Sequence, residues 1–287
     1  MILLLSALFF SLCIMVTFKL FPRFGISITQ AIITNYFVAS SLGFLMLGET
    51  PNTEFFKGND WIFTAMLSGL FLILVFNVFA LSAEKAGVAI TAVSSKMSVI
   101  IPVLAGFLFF NETLPFIKIV GVIFVMISFY LVFKKKEGYQ LKWALLILPF
   151  LLFLGNGTND TILKFAQYNF INSDTGYIKF LTVAFGISFL LGTIVLIIRI
   201  ILKKETIKLK NILAGIWLGT CNWFSTLFFL KGLGVMDVSV FIPVFNAGLV
   251  SLAALIGLTI FKEPLNRLNI FGIILSVIAI TFIAYGI

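Results

Sequence analysis

The chain contains no histidine, few charged residues and little cysteine. Of its 287 residues only 11% are charged, and the two cysteines are Cys13 and Cys221. Without histidine, metal-assisted and Ser-His catalysis lose their usual residues, and no G-x-S-x-G motif occurs. We therefore expect no enzyme activity, no catalytic residue, no metal site and no cofactor. Two lone thiols inside apolar segments behave as small hydrophobes, and they give no indication of the redox compartment.

Apolar residues are correspondingly abundant, at 61% of the chain, and the mean hydropathy is +1.18. Soluble domains are about half apolar and about a quarter charged. A bilayer core about 30 Å thick needs about 20 apolar residues per helical span. The sequence predicts an all-α integral membrane protein, multi-pass in the cell membrane and surrounded by lipid. Its ten predicted spans are roughly 2–20, 28–48, 61–82, 88–110, 116–133, 142–166, 175–202, 210–230, 237–260 and 268–286.

One pattern occurs twice: an apolar span, an acidic hairpin and a second span that contains glycine. Glu112 lies in the first hairpin and Glu263 in the second. Pairs of small residues four apart, which let helices approach closely, recur at an offset of about 150 residues. Examples are Ala39 and Gly43 against Ser188 and Gly192, and Ala65 and Gly69 against Gly215 and Gly219.

The longest basic hairpin, 134–142, separates two predicted five-helix repeats, 1–136 and 137–287. An odd number of spans per half predicts inverted orientation, which is characteristic of secondary transporters with a midplane substrate site. The net charge of +9 resides mainly in short loops, so it indicates topology and not nucleic-acid binding. The bias of basic residues favours both termini outside. Glu112 and Glu263 are predicted to cap helix starts on opposite membrane faces.

The two hairpins resemble those of EamA-type transporters of the drug/metabolite transporter superfamily. The matching segments are Ile100–Val132 and Val250–Ala284, which include Asn111-Glu112-Thr113-Leu114 and Lys262-Glu263-Pro264-Leu265. The resemblance implies ten helices in two halves and transport of a metabolite or amphipathic drug, by exchange or by an ion gradient. It does not specify a substrate.

Lys96 is predicted near mid-bilayer, because it lies about nine residues into the fourth span at about 1.5 Å per residue. A charge at that depth costs at least about 2.5–3.5 kcal/mol, so the side chain should face a partner or water. It would bind an anionic group of a substrate. The alternatives are a structural ion pair or a neutral lysine.

The sixth span contains Gly155-Asn156-Gly157-Thr158-Asn159-Asp160, which disfavours regular helix. This stretch is either a broken helix that exposes backbone groups to a ligand or an ordinary interfacial turn. Asp160 could carry a coupling proton, or pair with Lys96 or Lys164. Lys164 itself, like Lys19, could instead extend to the lipid headgroups.

Amides inside the spans either link helices or contact substrate, and Trp223 is the aromatic residue predicted nearest a ligand. The predicted substrate-binding residues are Asn35, Asn77, Lys96, Asn156, Asp160, Lys164, Asn222, Trp223 and Asn246. We expect a secondary active transporter, an exporter or exchanger of a small polar or anionic metabolite, working by alternating access. The alternatives are efflux of multiple amphipathic compounds and, less favoured, a channel. A monomer or homodimer is expected, with no nucleic-acid partner.

Overall fold

The computed structural model describes residues 1–48, 61–85, 95–133, 147–171, 173–203, 206–260 and 267–285. Within these ranges the chain forms ten α-helices and no strand. In chain order the helices are α1 Ile2–Phe24, α2 Ile28–Leu47, α3 Trp61–Lys85, α4 Ile100–Phe109, α5 Phe116–Phe133, α6 Ile147–Phe170, α7 Asp174–Lys203, α8 Leu209–Leu233, α9 Val238–Thr259 and α10 Arg267–Tyr285.

The all-helical prediction is confirmed for the described residues, and each predicted span overlaps one of these helices. Six helices or helix segments there are long and apolar enough to cross a membrane: those within α1, α2, α3, α7, α8 and α9. Large apolar side chains are exposed on them, among them Leu45, Phe63 and Ile201, each at least 70% exposed. Such a surface would be unstable in water and is typical of contact with lipid.

The helices form two compact units that do not follow the sequence halves. The first unit comprises Met1–Ile73 and Ile162–Gly234, and the second comprises Leu74–Thr161 and Val235–Ile287. Helices α3 and α6 therefore continue from one unit into the other. The predicted basic hairpin at 134–142 and the second acidic hairpin with Glu263 lie outside the described residues, and the two predicted repeats stay a prediction.

In the first unit, α2 packs against both α7 and α8, and α1 packs against α8. Glycine makes this packing close. A Cβ at Gly219 would lie only 2.6 Å from the backbone oxygen of Asn35, and one at Gly215 would lie 2.6 Å from that of Ala31. The Ser188 hydroxyl donates a hydrogen bond to the Gly69 carbonyl at 2.8 Å. The small residues noted in the sequence thus lie at helix contacts, as predicted.

Two buried amides, which the sequence analysis missed, cap the starts of α2 and α8 reciprocally. Gln30 is three residues past the N-cap Ser27, and Asn211 is three residues past the N-cap Lys208. Gln30 Oε1 accepts from the Lys208 N–H at 3.2 Å, and Asn211 Oδ1 accepts from the Ser27 N–H at 3.0 Å. In an ordinary capping box the third residue bonds its own helix. Here each amide serves the other helix, and the two amides bond each other at 2.6 Å.

In the second unit, α5 packs along α10, and α9 packs on α4, α5 and α10. Glu112 is buried in the loop before α5, and its carboxylate accepts hydrogen bonds from the Val238 and Ser239 N–H groups at 2.7 and 2.9 Å. These are the first residues of α9. Lys118, which is 1% exposed, forms an ion pair with the α9 N-cap Asp237 at 3.5 Å.

The predicted capping role of Glu112 is therefore correct in kind but assigned to the wrong helix. The N–H groups at a helix start have no partner within the helix and carry partial positive charge, so they attract a nearby carboxylate. The loop directs Glu112 towards α9, whose first N–H groups are buried with it. Sequence position relates Glu112 only to the helix that follows it, so the more distant partner could not be seen from the sequence.

We predict that Gly219→Val lowers the stability of the first unit by about 1–3 kcal/mol, because the added atoms would overlap the backbone of α2. The measurement is thermal unfolding of the purified protein in detergent, followed by tryptophan fluorescence. Leu213→Val is the matched control: it introduces the same residue on the exposed face of the same helix. Equal unfolding temperatures for the two variants would contradict the close α2–α8 contact.

Candidate functional site

The second unit contains an interrupted helix immediately after Lys96. Residues 95–97 are helical, Ser98 and Val99 form a turn, and α4 begins at Ile100. Pro102 has no N–H to donate to the Ser98 carbonyl. That carbonyl instead accepts from the Ile101 N–H at 3.0 Å. The proline therefore accounts for the interruption, and it places Lys96 at the end of a helical segment.

Lys96 contacts the α9 helix through a buried amide. Its Nζ donates a hydrogen bond to Asn246 Oδ1 at 3.1 Å, across a separation of 150 residues. This donor–acceptor pair satisfies one of the three N–H groups of an ammonium. The Lys96 side chain is itself half-buried. Lys96 and Asn246, which were both predicted from the sequence as site residues, are therefore in direct contact.

Asp160 on α6 interacts electrostatically with Lys96. The Asp160 side chain is half-buried, and it makes no hydrogen bond or short ion pair within the described part of the chain. A carboxylate has room for about four hydrogen-bond donors. Lys96 and Asp160 therefore interact electrostatically without a direct bond, and much of their bonding capacity is unused within the described ranges.

Asn156 completes the group, one helical turn before Asp160. Its Nδ2 donates to the Ser95 hydroxyl at 3.2 Å and to the Leu152 carbonyl at 3.0 Å. We call Ser95, Lys96, Asn156, Asp160 and Asn246 the Lys96 cluster. All five residues belong to the second unit. The sequence analysis did not predict Ser95 as a site residue, although its position next to Lys96 made it a candidate.

Both sequence-based interpretations of the Gly155–Asp160 stretch are wrong, because α6 runs unbroken through it. The two glycines serve close packing: a Cβ at Gly155 would meet Val75 at 2.6 Å, and one at Gly157 would meet the Ser98 carbonyl at 2.8 Å. The polar side chains bond within the helix, as Asn156 does to the Leu152 carbonyl. Tertiary contacts thus override the low intrinsic helix propensity of this stretch.

Four of the nine predicted site residues lie in the first unit instead. Lys164 is buried and donates to the Leu233 carbonyl at the end of α8, at 2.9 Å. The expectation that it extends to the headgroups is wrong, because the helix end offers an internal acceptor. Lys19, by contrast, is exposed. Asn35 is buried, and its Oδ1 has no hydrogen-bond partner in the described ranges.

The remaining predicted residues show no shared site. Trp223 is fully buried in the first unit, where its indole N–H contacts the Met46 sulfur at 3.2 Å. Its burial gives it a packing role and leaves no surface for a ligand in this conformation. Asn222 is half-buried and accepts from the Thr226 hydroxyl at 3.3 Å. Asn77 is half-buried on the part of α3 that belongs to the second unit.

The Lys96 cluster combines one ammonium, one carboxylate, two amides and a hydroxyl. The ammonium can bind a carboxylate or phosphate group, and the amides can fix its orientation. Polar and charged groups among apolar helices are expensive to maintain, and they commonly mark pathways for ions or substrates. This arrangement lies on helices whose surface suits contact with lipid, which suggests a helical membrane protein.

The chain belongs to the same family as an uncharacterized protein of Haemophilus influenzae. The two are 30% identical over an alignment of 294 positions, which covers 98% of this chain and 97% of the relative. A solved crystal structure shares the fold, with a TM-score of 0.77 at 11% sequence identity, over 98% of this chain and 94% of the other. The chain matches no established protein-family profile.

We predict that Asn246→Ala lowers the unfolding free energy by about 1–3 kcal/mol, since it leaves the half-buried Lys96 ammonium without its hydrogen-bond acceptor. Adding Lys96→Met should restore most of the lost stability, because a charge without a partner destabilises the folded protein more than an apolar side chain does. Thermal unfolding of the two single variants and the double variant measures the coupling. Strictly additive losses would show that the Lys96–Asn246 bond is energetically unimportant.

Proposed function

We propose that this protein is a secondary active transporter of a small anionic or polar metabolite. It exports or exchanges that metabolite by alternating access. The observation that carries the proposal is the half-buried Lys96 ammonium, which makes one hydrogen bond within the described ranges, to Asn246, and interacts electrostatically with Asp160. Ionisable residues inside membrane-spanning helices are rare, and they commonly mark the pathway of a substrate, an ion or a proton. The resemblance of the acidic hairpins to those of EamA-type transporters supports the same class.

The pairing of helices supports an internal repeat. Three prominent contacts join a helix to the one five positions later: α2 with α7, α4 with α9, and α5 with α10. Contacts between corresponding elements are expected where two five-helix halves are related by a two-fold axis. Inverted repeats of this kind occur in many secondary transporters. The contacts α2–α7 and α5–α10 lie in different compact units, so both units carry the pattern.

A transported substrate of this site carries at least one carboxylate or phosphate group. Lys96 binds that group, and Asn246 and Asn156 offer amide hydrogen bonds beside it. During the cycle the substrate anion and Asp160 compete for the same ammonium. Efflux of amphipathic cations is the second candidate, and for such a substrate Asp160 would be the binding group.

We predict that Lys96→Met abolishes binding and transport of anionic substrates. Purified protein is first screened by thermal shift against carboxylated metabolites, phosphorylated metabolites and amphipathic cations, because a ligand that binds the folded state raises its apparent stability. Stabilising compounds are then tested for counterflow in proteoliposomes. The expected result is uptake of an anion by the wild-type protein and at least about a hundredfold less by Lys96→Met, in keeping with the loss of a charge-assisted contact.

Lys19→Met is the matched control, because Lys19 is exposed at the end of α1. It should transport at the wild-type rate. Wild-type flux in Lys96→Met would refute the role of Lys96. Stabilisation by cations alone would favour the amphipathic-efflux candidate, and flux that only dissipates a gradient would identify a channel.

We also predict that coupling to protons runs through Asp160. The Asp160→Asn variant keeps the size of the side chain but cannot exchange a proton. In proteoliposomes with an imposed pH gradient, wild-type protein should accumulate substrate against its concentration gradient, whereas Asp160→Asn should only equilibrate it. Glu112→Gln provides a control carboxylate in the same unit. Accumulation by Asp160→Asn that still responds to the pH gradient would exclude Asp160 as the coupling group.

A further inference from the structure

Polar contacts join α1 to α8 at two levels of the first unit. The hydroxyls of Ser11 and Ser225 are hydrogen-bonded at 2.7 Å. Further along, the Trp217 indole N–H donates to the Thr17 hydroxyl at 2.9 Å. Residue numbers rise along α1 while those of their partners fall along α8, so the two helices are antiparallel. The two hydrogen bonds fix the register of α1 against α8, and we call this line of contact the seam.

The two cysteines lie at the level between these bonds. Cys221 is one helical turn from Ser225 and one turn from Trp217, and Cys13 lies between Ser11 and Thr17. The flanking Ser11–Ser225 and Thr17–Trp217 bonds place the two cysteines at the same level of α1 and α8, where their thiols interact. From the sequence alone, Cys13 and Cys221 were two unrelated thiols inside apolar segments of different halves. The seam therefore carries three successive polar pairs, with the thiol pair in the middle.

Packing around the thiols holds this register firmly. Phe10 on α1 stacks on Phe224 and Phe228 of α8, with ring centroids 5.3 and 6.0 Å apart. Cys221 is buried, and Cys13 is half-buried. A reagent dissolved in the lipid can reach the Cys13 sulfur first. The buried thiol is then the nearest group able to react with the modified sulfur.

We propose that Cys13 and Cys221 form an oxidisable dithiol, which membrane-permeant two-electron oxidants convert to a disulfide between α1 and α8. Two S–H bonds break and one S–S bond forms. The two hydrogen atoms pass to the oxidant, so that a quinone becomes a hydroquinone or a diazene becomes a hydrazine. The bridge covalently joins two helices that are held together by non-covalent contacts.

The test exposes the protein in proteoliposomes to the membrane-permeant diazene diamide. Samples taken over time are unfolded, treated with a maleimide mass tag and analysed by mass spectrometry. The expected product has no free thiol, a mass lower by two hydrogen atoms, and a cross-linked peptide pair that contains Cys13 and Cys221. Oxidised protein with adducts on separate cysteines and no cross-linked pair would overturn the proposal, as would two thiols that persist.

A matched variant separates proximity from general reactivity. In Cys13→Ser/Met15→Cys the thiol moves two residues along α1, to a position that is 38% exposed. The number of thiols and the helix stay the same, but the moved thiol points away from Cys221. Its intrachain disulfide should form at least roughly ten times more slowly, because the advantage of held proximity is lost. Equal rates in the two proteins would refute a preformed pair, and a thermal unfolding curve confirms that the variant is folded.

Discussion

Every polar group buried among these apolar helices must find its partner inside the protein, and this constraint explains most of the contacts described. Lipid offers no hydrogen bonds, so exposed backbone N–H and C=O groups at helix ends cost several kcal/mol each if left alone, by the order of magnitude for such groups. Several helix ends in the described ranges are accordingly served by side chains from other parts of the chain. Glu112 binds the start of α9, and Lys164 binds the end of α8. Gln30 and Asn211 exchange caps between α2 and α8. These contacts also determine which helices meet, so capping here is a tertiary interaction.

Against that background the Lys96 cluster, like the unpaired Oδ1 of Asn35, is an exception within the described ranges. Lys118 and Lys164 both find a close acceptor inside the protein, and Glu112 accepts two backbone hydrogen bonds. Within the described ranges Lys96 bonds a single amide, and Asp160 interacts with Lys96 electrostatically without a hydrogen bond or a short ion pair. The chain could have joined them as an ion pair, and it does not. A pair held apart in this way is costly for stability, and that cost is understandable if a substrate or a proton completes the site during function.

The sequence was sufficient for features that depend on local composition, and insufficient for those that depend on distant contacts. Apolar length located the helices, and small residues such as Gly219 located their close contacts. Lys96 stood out because a lysine is rare at that depth. The helix partners of Glu112 and Gln30 could not be predicted, because they are more than a hundred residues away. Gly155 and Gly157 were misread for a related reason: in isolation glycine weakens a helix, whereas here it admits a neighbouring chain. The proximity of Cys13 and Cys221 could not be predicted either, because it depends on the packing of α1 against α8.

The contact between Lys96 and Asn246 also constrains how the proposed repeat could arise. The two residues are 150 apart, whereas the glutamates of the two acidic hairpins are 151 apart, so that the hairpin offset relates Lys96 to Ala247, the neighbour of Asn246. In a two-fold repeat, positions near the axis face their own counterparts. Duplication of a half that carried lysine at this position would therefore have placed two ammonium groups in contact. At 4 Å and an effective dielectric constant of about 20 such a pair repels by about 4 kcal/mol. An uncharged alanine at the counterpart position removes that repulsion, and the neighbouring Asn246 supplies an acceptor. On this argument the asymmetry at the centre of the cluster follows from the proposed repeat, and it leaves a single lysine to interact with Asp160.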